Sequence, residues 1–217
     1  MKRRLFILFA LLSLSLPLAA YDEGFEYKQI TPALPTSSKD KVEVVELFWY
    51  GCPHCYDFEP SLGEWAGKLP ENVEFIRIPA IFRQGWLPHA RAYYTAEALG
   101  VLDKTHAAFF DAVHRQKRAL QTEKDIADFY AQHGVKREDF KKAWDSFVVQ
   151  SRVQRAVSMT KRYGITGVPA MVVNGKYRTG GPEANINSPG NTKQEQHENV
   201  LKLVDWLVAR EVAAIKQ

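Results

Sequence analysis

Cysteine is scarce in this chain: 217 residues contain only two, Cys52 and Cys55. So few exclude the multi-bridge scaffolds of small secreted proteins. A bridge between two positions this close would close almost no loop, so it would add little stability by restricting the unfolded chain. Nor does the pair suit zinc, which needs about four ligands. No second cysteine pair exists, and the histidines outside the motif, His89, His106, His114, His133 and His197, are scattered. Attached haem would need histidine directly after the second cysteine, where Tyr56 stands. No metal and no cofactor is therefore expected.

Long apolar runs are also lacking, with one exception at the start. Lys2, Arg3 and Arg4 precede an uncharged stretch from Leu5 to Leu16, which ends in Leu18-Ala19-Ala20. The stretch falls short of the roughly 20 residues that span a bilayer. It has the three-part pattern of a secretory signal peptide, residues 1–20, cleaved near Tyr21. No cysteine follows closely enough to carry a lipid. The formal charge of +4 belongs mostly to this segment: without its three basic residues, 26 basic face 25 acidic ones. A nearly neutral surface offers little to a phosphate backbone, so nucleic acid is not expected as a partner.

What remains is ordinary globular composition, 46% hydrophobic, enough for one domain or one domain with a large insertion. Phe25, Tyr27 and Ile30 stand in strand-like positions, and a polar link follows from Thr31 to Asp40. Val42 to Tyr50 is almost continuously apolar, as in a strand covered on both faces. Tyr56 to Leu69 reads as a helix that Pro60 should kink. Val73 to Ile78 reads as a second strand, giving a βαβ unit around the cysteines. From 83 to 164 only helices are legible, including Arg91 to Leu99, Lys104 to Arg118 and Glu123 to Gln132. Thr122 with Asp125 resembles a capping box, and Gly134 and Gly164 stand at helix ends. Strands resume at Ala170 to Val173 and Lys176 to Thr179, joined by the hairpin pair Asn174-Gly175. Gly180 to His197 reads as a loop. The last helix places Val200, Leu203, Val204, Leu207 and Val208 on one buried stripe.

Cys52-Pro53-His54-Cys55 thus opens a helix directly after a central strand. There the first sulfur can be exposed while the second points inward, and the two can close a redox-active disulfide. Unpaired N–H groups and the helix dipole favour a thiolate at Cys52. His54, placed toward that sulfur, would add to the effect. A disulfide carries no charge to stabilise, so whatever favours the thiolate makes the pair more oxidising. Between the reference values for a strongly reducing and a strongly oxidising dithiol protein, about 150 mV apart, thiolate stability would account for most of the difference.

Phe48-Trp49-Tyr50-Gly51-Cys52-Pro53-His54-Cys55-Tyr56 and Gly167-Val168-Pro169-Ala170, followed by Val173-Asn174-Gly175-Lys176-Tyr177, resemble the DsbA family of bacterial periplasmic oxidants of protein thiols. The resemblance extends over nearly the whole chain after the signal. It implies an α/β thioredoxin fold, residues 21–82 and 165–217, with an inserted α-helical subdomain, residues 83–164. It also implies a cis bond before Pro169, with Val168 offering its backbone to an extended substrate. Glu46, a carboxylate inside an apolar strand, and Glu59 match family positions that help move protons for Cys55.

The expected reaction follows from the same resemblance. A thiolate of an unfolded secreted protein attacks Cys52, Cys55 leaves, and a second client thiolate resolves the mixed disulfide. The dithiol is then reoxidised by a DsbB-like, quinone-linked membrane oxidoreductase. Trp49, Tyr50 and Val168 would provide weak, unselective apolar contacts. A disulfide isomerase or reductase uses the same motif, but the twenty or so residues between Tyr21 and Asp40 leave no room for the dimerisation domain many isomerases carry, so a monomer is expected. A chaperone-like binding module is the rival from another class. Phe109, Phe110, Trp144, Phe147 and Trp206 fit helix packing, and the five scattered histidines fit surface or capping positions.

Overall fold

The computed structural model describes residues 21–37 and 39–215; the expected signal lies outside the described residues. A mixed five-stranded sheet forms the centre, in the order β1-β5-β4-β2-β3. Its strands are β1 (Lys28–Gln29), β2 (Val42–Phe48), β3 (Val73–Pro79), β4 (Ala170–Val173) and β5 (Tyr177–Gly180). Eight α-helices surround it among the described residues: α1 (Pro53–Ala66), α2 (Leu87–Ala98), α3 (Leu102–His114), α4 (Glu123–Gln132), α5 (Arg137–Trp144), α6 (Phe147–Arg162), α7 (Gly181–Ala184) and α8 (Lys193–Ile215). Helices α2 to α6 all fall between β3 and β4 in the chain.

Every residue of β2 is buried, because the strand has a partner on each edge and helices on each face. Val45 and Leu47, with Ala170 and Val172 of β4, belong to the core that includes Phe109, Phe110 and Tyr130. Val42 and Val44, with Met171 and Val173, pack with Phe58 and Leu62 of α1 and Leu203, Val204 and Leu207 of α8. The period-2 alternation of a strand thus divides one apolar run between two cores. All five residues of the α8 stripe are buried.

Several local expectations are met and several are corrected. Thr122 Oγ1 accepts the Asp125 N–H at 3.1 Å, capping α4. Pro60 lies inside α1 without ending it. Helix α3 stops at His114, short of Arg118, because Lys117 and Leu120 turn to positive φ and Leu120 swings into the core. The first strand shrinks to two residues, paired only with Tyr177 and Arg178; Tyr27 and Ile30 are buried, but Phe25 faces solvent. The hairpin has positive φ at both Asn174 and Gly175. Its ladder starts at Val173↔Tyr177, so the loop holds three residues rather than two.

The segment from Gly180 to His197 is not a plain loop, since α7 and the first turn of α8 lie within it. Thr192 Oγ1 accepts the Glu195 N–H at 3.1 Å, and Glu195 Oε2 accepts the Thr192 N–H at 3.2 Å. This reciprocal cap starts a helix whose opening residues are polar because they face water. Phe147 does not pack: it is 82% exposed. Ser146 caps α6, which puts Phe147 at the open end while Val149 and Val153 take the buried face.

Candidate active site

Strand β2 delivers the chain to a tight turn, Trp49-Tyr50-Gly51, closed by the Cys52 N–H on the Trp49 carbonyl at 2.9 Å. Gly51 is required there, because a Cβ would run into the Trp49 indole. Cys52 is the N-cap of α1 and Pro53 its first residue, a position where the N–H missing from proline has no helical partner to lose. Both cysteines are free thiols in this structure.

Cys52 is not the exposed sulfur expected, at 7% exposed, yet the two sulfurs differ sharply. The Cys52 thiol is lowered to about 6, first by a hydrogen bond from the Cys55 side chain, against the opposing effect of burial. The backbone N–H groups of Cys55 and His54 lower it further, and the charge of His54 adds the least of these. His54 itself is exposed. Cys55 has no exposed surface, and burial, its bond to Cys52 and the nearby Glu46 push its thiol well above the ordinary value. The Cys52 sulfur also donates to the Val168 carbonyl at 3.4 Å. That contact brings the loop carrying the cis Val168-Pro169 bond against the reactive sulfur.

Behind Cys55 lies a buried charged cluster. Arg77 of β3 donates through Nε to Glu46 and through Nη2 to Glu59, both at 2.9 Å. Glu46 is 1% exposed, and burial pushes its carboxyl up to about 8 despite the guanidinium beside it. His106 of α3 turns Nε2 toward Glu59 Oε2 at 3.4 Å, and its Nδ1 lies 2.8 Å from the Tyr50 hydroxyl. His114, two turns along α3, reaches the Tyr50 carbonyl with Nε2 at 2.8 Å.

Beside the sulfur a groove of about 590 Å³ runs past His54, Val168, Pro169, Arg178, Glu183 and His197. Val168 and Pro169 are half-buried in its wall. Trp49 is half-buried and lies flat on Trp86, ring centres 4.2 Å apart. Tyr50 is a correction: it is 1% exposed, enclosed by Phe48, Phe109 and Phe110, so its side chain offers no surface to a substrate. His89 and His106 are not surface residues either, at 1% and 7% exposed.

Sequence reasoning missed Arg77, His106 and His114. Arg77 left a signal, as a charge inside the apolar β3 run whose parallel register sets it directly opposite Glu46. The two histidines left none, since a lone histidine on a helix does not say which face will be buried.

A βαβ unit with two thiols at the start of its helix, one lowered and one buried, and a cis-proline loop against the first defines a thiol–disulfide oxidoreductase of thioredoxin fold. Comparison with known proteins narrows the class. Residues 43–202 match the family described as DSBA-like thioredoxin domain. The thiol:disulfide interchange protein DsbA of Azotobacter vinelandii is 45% identical over 191 residues, covering 88% of this chain and 85% of that protein. Its Pseudomonas aeruginosa namesake is 43% identical over 197 residues, 91% of this chain and 89% of that protein. The crystal structure of Pseudomonas aeruginosa DsbA superposes with a TM-score of 0.83 at 42% identity, covering 91% of this chain and 97% of that one. This chain belongs to the DsbA family.

Proposed function

We propose that this chain is a periplasmic dithiol oxidase, exported by a cleaved signal at residues 1–20. It acts as a monomer on newly secreted, unfolded proteins and is reoxidised by a DsbB-like, quinone-linked membrane protein. Residues 21–82 and 165–217 form the thioredoxin-like part and 83–164 the inserted helical part. The observation that carries the reading is the asymmetry of the dithiol, with Cys52 lowered beside an open groove and Cys55 raised in the core.

In the first step a client thiolate bonds to the Cys52 sulfur, the Cys52–Cys55 bond breaks, and its electron pair goes to Cys55. A buried thiolate is costly at Cys55, so it must take a proton as it leaves. Glu46, protonated at neutral pH, supplies that proton, and Arg77 compensates the carboxylate left behind. A second client thiolate then attacks the client sulfur of the mixed disulfide, and Cys52 leaves as a thiolate. The client has lost two electrons, and the dithiol returns them to the quinone through the membrane partner. An extended client segment lies along the groove against the Val168 backbone, where Pro169 has no N–H to compete for the sulfur.

The Cys52 thiolate supplies less of the oxidising power than the sequence suggests. Against about 7 for thioredoxin, a thiol at about 6 favours the reduced form by about 1 kcal/mol at pH 7, or about 20 mV. The reference gap to DsbA is about 150 mV, so a potential near the DsbA value would require the larger share to come from the cost of the disulfide state. Equilibration with glutathione buffers, read from tryptophan fluorescence or thiol trapping, tests the direction. A potential near the reference DsbA value of about −120 mV is expected, and one near about −270 mV would make the chain a reductase.

A further inference from the structure

His106 comes from a helix that contributes no cysteine and no groove residue, yet it reaches the charged cluster behind the dithiol. It is 7% exposed, ringed by Phe48 and Phe110. Polar and charged groups face it from every side: Tyr50 before α1, Glu59 on α1, Arg77 on β3, Tyr93 on α2 and Asp103 on its own helix. A bare Nε2 lone pair against a carboxylate would repel it. The tautomer that fits has the Tyr50 hydroxyl donating to Nδ1 and leaves Nε2–H pointing at Glu59. Glu59 Oε2 is buried without a formed hydrogen bond, so that N–H is the donor which faces it. The other oxygen, Oε1, takes Arg77 Nη2.

The consequence for Glu46 follows from how Arg77 is shared. Because Glu59 occupies Nη2, Glu46 receives only the Nε bond and not the bidentate fork a guanidinium can give a carboxylate. A carboxylate gripped by the whole fork would stay ionised and have no proton to give.

We propose that His106 is a positioning residue for proton delivery to Cys55: by holding Glu59 on the far side of Arg77, it stops Arg77 from closing both arms on Glu46. The helical segment between β3 and β4 thereby takes part in the redox step without touching it. This rests on Glu46 being the proton donor described above.

The test is the pH profile, from 5 to 9, of the oxidised full-length mature protein reacting with a cysteine peptide, followed by tryptophan fluorescence. Divided by the fraction of peptide present as thiolate, the rate falls at high pH as Glu46 loses its proton. In His106→Asn, which keeps an acceptor for Tyr50 but loses the donor facing Glu59, that falling limb is expected about one pH unit lower, with a rate loss of about twofold at pH 7 that grows to about tenfold at pH 9. His106→Gln, whose amide reaches the Nε2 position, is expected to recover most of both. The Cys52 thiolate, titrated by ultraviolet absorbance in the reduced protein, should not move in either variant. A folded His106→Asn with the wild-type limb overturns the proposal. If that variant does not fold, Tyr50→Phe, which frees the imidazole to turn, decides it: the limb shifts the same way by a smaller amount, or the proposal is wrong. Glu46→Gln measured alongside separates the two ideas. A limb that persists in Glu46→Gln removes Glu46 as the donor, whereas one that vanishes there but stays put in His106→Asn removes only the role of His106.

Discussion

Three ionisable side chains within one turn of helix and one strand have their behaviour set by opposite balances of the same two forces. At Cys52 hydrogen bonds to the sulfur outweigh burial and the thiol falls to about 6; at Cys55 and Glu46 burial wins. Each shift is also a dependence of stability on pH. Glu46 holds its proton to about pH 8 in the folded chain, against a reference of 4.5. Between those values the folded state binds more protons than the unfolded one, so stability falls as pH rises through the window. The loss is on the order of 3–5 kcal/mol. Urea denaturation of Glu46→Gln should show that decline flattened between about pH 4.5 and 8; an unchanged slope would mean the carboxyl is ionised throughout. Cys52→Ser should abolish oxidation of a cysteine peptide, whereas the more exposed His54, replaced by Ser, should raise the Cys52 titration only slightly, since its charge is the smallest of the lowering influences.

At the scale of elements, the ends of helices decide more than their middles. The α8 stripe is plain in the sequence, but the helix begins seven residues before Val200, at Lys193, because Thr192 and Glu195 satisfy each other's backbone N–H groups. Thr192→Ala should cost about 1 kcal/mol, seen as a lower urea midpoint with an unchanged slope. An equal midpoint would show that α8 is held by its apolar stripe alone. That cap was legible as a Thr-x-x-Glu pattern and was masked by the polar residues around it. A strand around Phe25 to Ile30 was legible, but not its two-residue extent, because its pairing with Tyr177 and Arg178 depends on how the hairpin arrives. Gly51 shows the same dependence on arrival: the side chain that forbids a Cβ there belongs to Trp49, two residues earlier.

For the molecule as a whole, redox state and stability are linked through Cys52. In the dithiol form its folded value of about 6 lies below its reference of 9.0. Between them the unfolded state binds more protons, so the contribution is present above pH 9 and is lost as pH falls through 6. Discounted for screening by solvent at this sulfur, it amounts to roughly 1 kcal/mol at pH 7 and a few kcal/mol at most above pH 9. The disulfide form has no such group, while Glu46 is common to both. The difference in stability between reduced and oxidised protein, from paired denaturation curves, should therefore grow in favour of the reduced form from pH 6 to 9. A difference that does not vary with pH would place the thiol near its ordinary value.

The main order of strands and helices, the dithiol at a helix start and the carboxylate of Glu46 within an apolar strand were determined by the sequence alone, because each depends on neighbours within a few residues, whereas the Val168-Pro169 step stood out through the family resemblance. Only the tertiary structure decided that Arg77 stands opposite Glu46, that the Val168 carbonyl meets the Cys52 sulfur, and that Tyr50 and His106 are core residues that touch each other. Those contacts join segments up to 116 residues apart. They are set by strand register and by which face of α3 is buried, and neither is encoded in local spacing.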